Sequence, residues 1–176
     1  MSLGPAAVLV AALAAALACD AGLEPEPVCA RGLIGVCGTA HYTGTPPAET
    51  EAVFVVAFRT YPQSCADLLA LPPNFQPFPP PPLPRPYADS AAYSVPLTAG
   101  RYEWVVAVWK KPGTPTFTTN DTSLFRVAGQ FPDSSNPAQA GVVTVPAGGA
   151  VSDIDIRVVF DSLRPVTDFV TCSAAR

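Results

Sequence analysis

Histidine, charge and helical periodicity are what this chain has least of. His41 is the single histidine in 176 residues. No His-x-x-x-His or Cys-x-x-Cys spacing accompanies it, so a zinc-hydrolase site has no ligand set and no metal is expected. No Gly-x-Ser-x-Gly occurs, which removes the local signature of a strained nucleophile turn. Charged residues make up only 14% of the chain and the net charge is −4. The ten Lys and Arg are scattered apart from the pair Lys110-Lys111. That excludes the basic footprint a nucleic-acid partner requires.

Helices are excluded by a different shortage. Beyond the N-terminus no segment sustains an apolar period of 3.6 residues, and 22 Pro and 12 Gly punctuate the chain too often for long helices. One all-β domain is the expectation. Carboxylates are few as well, and the nearest approach to a pair is Asp153 and Asp155, with Asp161 beyond. Alternate positions on one strand put the first two on an outer face with Arg157, which suits glycosidase geometry poorly; calcium would need further ligands from a loop, and a solvated face is the expectation. His41 on the wet face of a strand reads as a surface residue. Catalytic residues and cofactors are therefore expected to be absent.

What is present begins with the N-terminus. Residues 6–18, AAVLVAALAAALA, form an apolar run too short to span a bilayer and of the length of a signal-peptide core. No Lys or Arg precedes Arg31, so the segment ahead of the run carries only its amino group. Residues 16–18, Ala-Leu-Ala, satisfy the small-x-small rule for cleavage, and Cys19 follows at once. That junction resembles a bacterial lipobox, although the leucine stands at Leu17, one place later than usual. Cysteine counting favours acylation: five cysteines (Cys19, Cys29, Cys37, Cys65, Cys172) leave one over in an oxidising compartment, whereas a lipidated Cys19 leaves four. The expected partition is a signal peptide at 1–18, with a helical core, and a lipidated Pro- and Glu-containing tether at 19–31. The expected place is the bacterial cell envelope, membrane-anchored through the lipid; without acylation the chain is simply secreted.

The domain itself is expected over 32–162, with a tail at 163–176. Residues 38–44 read as a first strand, and 53–58 (VFVVAF) as a strand apolar on both faces. Residues 91–97 turn through Gly100 into 102–109 (YEWVVAVW), which predicts a hairpin. A second hairpin is expected between 142–145 and 151–160, where Ile154, Ile156, Val158 and Phe160 alternate with polar residues. Two insertions interrupt the pattern. The first, 61–88, holds nine prolines among residues 72–86. Ser64 is placed to cap a short helix there, and Phe75, Phe78, Leu83 and Tyr87 to anchor a polyproline run. The second, 112–140, is polar around a short apolar piece at 124–127.

The first strand, Leu97-x-x-Gly100-x-Tyr102 and the Gly-Val-Val-Thr-Val-x-x-Gly-Gly stretch followed by Ile-Asp-Ile resemble the carboxypeptidase-regulatory-like, transthyretin-like (prealbumin-like) β-sandwiches. The resemblance covers roughly residues 32–161. It implies a single antiparallel, transthyretin-like or Ig-like sandwich of about seven strands, six to eight, with Gly100 in the turn and the Tyr102 hydroxyl closing the corner. Such domains are common in envelope lipoproteins.

Four cysteines allow three pairings. Cys29 and Cys172 flank the domain, so the expected pairs are Cys29 with Cys172 and Cys37 with Cys65. Trp104 and Trp109 lie five apart on one strand and must face opposite ways. Trp109, beside Lys110, is the expected outward one, and with Trp104 and Tyr87 it forms the candidate ligand-binding set. The functional expectation is a non-catalytic envelope lipoprotein whose domain docks on a protein or supports a surface assembly. The alternative is a carbohydrate-binding module with a surface glycan as partner.

Overall fold

The structure, a computed structural model, describes residues 29–69, 74–114 and 122–171. The signal segment, Cys19 and Cys172 lie outside the described residues. Among the described residues eleven strands and one short α-helix follow in order, with two 3-10 turns near the end: β1 Gly35–Thr43, β2 Ala52–Phe58, α1 Cys65–Leu69, β3 Phe75–Gln76, β4 Ser90–Pro96, β5 Gly100–Tyr102, β6 Trp104–Lys110, β7 Phe125–Gln130, β8 Val143–Val145, β9 Ala150–Val151, β10 Ile156–Val159 and β11 Arg164–Pro165. The domain is all-β, as its punctuation by Pro and Gly requires.

Two sheets carry most of the strands. One has the order β10-β1-β4, with β9 also on β1; the other runs β11-β7-β6-β2-β3, and β5 and β8 form a separate ribbon. The five-stranded sheet is antiparallel throughout. In the other sheet β4 is antiparallel to β1, but β9 and β10 are parallel to it. One apolar cluster joins the facing sides of the two sheets: Val36, Ala40, Tyr42, Val95 and Ile156 from the first, Val53, Val55, Val105, Ala107 and Trp109 from the second. Removing this much aliphatic surface from water is the main force holding the sheets together.

Both expected hairpins are corrected. β4 pairs with β1, whereas β6 pairs with β2 and β7, so the corner from the end of β4 through β5 carries the chain from one sheet to the other. The Tyr102 hydroxyl does close this corner, donating to the Thr98 carbonyl at 2.8 Å. Gly100 has φ +142° there, and a β-carbon on it would run into the Arg59 guanidinium. The strand expected over 102–109 is broken at Glu103, whose N–H goes to Phe58 O at 2.9 Å while its carboxylate accepts from Tyr61 N at 3.0 Å.

The late hairpin fails because β8 pairs with β5 and β10 with β1. Periodicity fixes which side chains face inward, and Ile154, Ile156, Val158 and Phe160 are indeed buried. It is silent on which strand accepts the edge. Between β9 and β10 the chain arches over β1 at Gly38, where a β-carbon would strike the Ile154 backbone. Ile154 N donates to Cys37 O at 3.1 Å, and Thr39 N donates to Asp155 Oδ1 at 2.7 Å. Asp155 thus serves β1 rather than an acid–base pair.

The disulfide pairing is also corrected. Cys29 is bonded to Cys37, with Cα atoms 5.4 Å apart. Residues 30–33 make a tight turn, Leu33 N to Ala30 O at 2.9 Å, that returns Cys29 to the start of β1. Cys65 is disulfide-bonded as well, and its partner lies outside the described residues. Ser64 and Thr171 form a parallel bridge, and Thr171 N donates to Gln63 O at 3.3 Å. The residues preceding Cys65 and Cys172 are therefore neighbours. A non-reducing peptide map is expected to show Cys29 with Cys37 and Cys65 with Cys172; a Cys29–Cys172 peptide would contradict this.

Candidate functional site

The outward side of the five-stranded sheet is apolar where a solvated sheet face would be polar. VFVVAF and WVVAVW alternate two apolar sets: Val53, Val55 and Ala57 join the cluster between the sheets, and Phe54, Val56 and Phe58 point the other way. Antiparallel register lines the outward set into rows. Phe54 faces Val108, which faces Val127; Val56 faces Val106, and Phe58 faces Trp104. At the end of β6, Lys110 lies opposite Phe125 on β7. The register shift between Ala107 and Val108 keeps β7 in step, leaving Ala128 in the inner core.

The first insertion covers this face, though not completely. Its β3 pairs with the end of β2, Phe75 against Phe58. Ser64 caps α1 as expected: Asp67 N donates to Ser64 Oγ at 3.3 Å, and Ser64 N to Asp67 Oδ2 at 2.9 Å. The Ser64 hydroxyl, then the Gln63 and Ser64 N–H groups, hold the Asp67 carboxyl below its ordinary value. α1 in turn supplies Leu68 to the outer cluster, where Val166 and Val170 from the C-terminal segment join it. Of the expected anchors, Leu83 and Tyr87 are buried, whereas Phe78 is 51% exposed.

Between sheet and cover lies a pocket of about 310 Å³. Its floor is Val56, Val106, Val108 and Val127, its roof Phe75, Phe78, Pro79 and Pro80, and Trp104 closes one end. Lys110 and Thr122 are the polar residues that line it. Lys110 is the buried charged residue among those described. Its ammonium reaches Glu51 Oε2 at 2.6 Å, Gly113 O at 2.8 Å and Lys111 O at 3.3 Å. Three acceptors meet three N–H donors, so the buried cation is satisfied. The bond from Lys110 holds the exposed Glu51 carboxyl below its usual value.

No protein-family profile, curated protein or solved structure matches this chain. Geometry alone therefore assigns the site. Among the described residues no group of three His, Cys, Asp or Glu is placed to hold a metal ion. His41 is exposed on β1, opposite Ser90 and Arg157 on its neighbours.

The three aromatic candidates lie inside the molecule. Trp109 is 4% exposed in the cluster between the sheets, its indole donating to Thr50 Oγ1 at 2.8 Å, which corrects its expected outward position. Tyr87 lies in the same cluster, its hydroxyl accepting from Val53 N at 3.2 Å and its ring 5.6 Å from that of Tyr42. Burial, with Tyr87 close by, pushes the Tyr42 hydroxyl up to about 12.

Trp104 is the indole that faces away from the inter-sheet core, and the insertions cover it. Its ring lies 5.3 Å from Phe58, 5.1 Å from Tyr61 and 5.7 Å from Phe169, and Nε1 donates to Gln130 Oε1 at 2.9 Å. On the far side of Trp104 a second, polar cleft is lined by Tyr61, Glu103, Gln130, Arg164 and Phe169. Its polar groups are mutually engaged, Arg164 with Asp168 and Gln130 with Trp104 and the Ala138 carbonyl. The apolar pocket was not foreseen in the sequence, yet the signal was there: two strands apolar on both faces beside a segment offering Phe75, Phe78 and consecutive prolines.

Proposed function

We propose that this chain is an exported, non-catalytic binding protein of the bacterial cell envelope that holds a small apolar molecule in the pocket above β2, β6 and β7. The observation that carries the proposal is the pocket lining itself. Ligand sites are concave, largely apolar and start at about 300 Å³. A surface this apolar, left partly open on a small domain, normally has an occupant. Taking two sheets packed on one core as a transthyretin-like β-sandwich of about seven principal strands accords with the Tyr102 corner. It leaves the function to the pocket, because the fold by itself implies none.

Anchoring through an acylated Cys19 belongs to the same proposal and rests on the apolar run before it and the cysteine count. Intact mass of the membrane-fraction protein is expected to show a chain starting at Cys19 with more than one acyl chain added. An unmodified Cys19 terminus would remove the anchor. A glycan platform on Trp109, Trp104 and Tyr87 is not carried forward, since all three are buried.

The test is uptake of an uncharged fluorophore of matching size, 1-aminonaphthalene, by the mature domain. Burying a ligand of about ten carbons yields roughly 0.8 kcal/mol per methylene before the cost of association. Saturable, blue-shifted emission at one site, with a dissociation constant between about 1 μM and 1 mM, is expected. Linear, non-saturating emission would refute the proposal.

A further inference from the structure

The pocket's polar groups say which apolar molecules it accepts. We infer that it selects an uncharged ligand of about ten to twelve heavy atoms and discriminates against the corresponding fatty-acid carboxylate. This rests on the pocket being a binding site, as proposed above.

Size follows from volume. A six-carbon ring fills a cavity of about 150 Å³, and this pocket has about twice that. Charge selection follows from Lys110. A lone buried lysine at the end of an apolar slot invites a carboxylate head, but this ammonium has no donor to spare. Glu51, Gly113 O and Lys111 O hold it at 2.6, 2.8 and 3.3 Å. A ligand carboxylate would have to displace Glu51 from the shortest of these contacts, or lie beside it unpaired in an apolar enclosure. Both are unfavourable, the first because it trades one anion for another and the second because an unpaired charge is being desolvated. A cationic head meets Lys110 itself and fares no better. Thr122, the other polar lining residue, carries no charge to compensate either. An alcohol or hydrocarbon makes no such demand, because burying a hydroxyl costs far less than burying a charge.

The experiment is displacement of bound 1-aminonaphthalene by decanol, decanoate and decylamine at neutral pH, in the wild-type domain and in Glu51→Gln. Glu51 is exposed, so the variant is expected to fold. Decanol should displace the probe, with decanoate and decylamine at least about tenfold weaker, the loss that one poorly compensated charge produces. In Glu51→Gln, where Lys110 has lost its anionic partner, decanoate should gain at least about threefold while decanol is unchanged. Decanoate equal to or tighter than decanol in the wild type would overturn the inference while leaving the pocket intact. An unchanged decanoate affinity in Glu51→Gln would overturn the role given to Lys110. Failure of the probe to bind at all would instead refute the pocket as a binding site.

Discussion

Replacing Trp104 with alanine should destabilise the domain by about 3–5 kcal/mol, the range for deleting a large aromatic from a packed site. Trp104 is 1% exposed although it points away from the core shared by the two sheets. It gathers residues that are remote in sequence: Phe58 from β2, Tyr61 and the chain leading to α1, Gln130 from β7 and Phe169 from the C-terminal segment. Removing it unpairs the insertion and the C-terminus from the sheet together, so the loss should appear as one cooperative shift in a urea melt. Trp104→Phe keeps a ring in place and gives up the hydrogen bond to Gln130, so it should cost substantially less. A Trp104→Ala shift below about 1 kcal/mol would mean that the outer cluster contributes little.

Filling the pocket should abolish uptake without unfolding the domain. Val108 sits on the floor between Phe54 and Val127 and is only partly buried. In Val108→Trp the added indole, with about as many ring atoms as the expected ligand, enters space that already exists. Stability should therefore change by no more than about 1 kcal/mol while 1-aminonaphthalene binding falls at least about thirtyfold. Val105, three residues earlier on the same strand, points the other way, into the cluster between the sheets, and is completely buried. Val105→Trp should overpack that core at a cost of about 1–3 kcal/mol or more. Two substitutions three residues apart on one strand would thus separate binding from stability, and undiminished uptake by a folded Val108→Trp would place the probe elsewhere.

Much of the inner architecture was legible in the sequence, because burial imposes a period. Tyr93, Val95 and Leu97 all face inward as their alternation requires, as do Ile154, Ile156 and Val158. Ser64 capping α1 and Tyr102 closing the corner were legible too, since each depends on residues a few positions apart. Partnership between strands was not. The alternation in β4 and β10 is satisfied whether each pairs with its chain neighbour or, as found, with β1. β7 hid within a polar segment: FRVAGQ is half-buried and mixed in composition, and it earns its central place from β6 and β11 on either side. The opposite faces of Trp104 and Trp109 were correctly anticipated from their spacing, but which face the insertions cover depends on chain that returns from residues 61–88 and 163–171. The pocket is a consequence of that incomplete cover: strands apolar on both faces signal that something lies over them, but not how much of the face stays uncovered.

The most direct test is a titration of the ¹⁵N-labelled domain with decanol, followed by amide shifts. Binding as proposed predicts saturable changes at Val56, Val106, Val108, Phe125 and Val127, with Ala92, Ser94 and Thr144 on the other side of the molecule unmoved. Shifts centred on Gln130, Arg164 and Phe169 around the polar cleft, or no saturable shift at all, would contradict an apolar binding site on the five-stranded sheet.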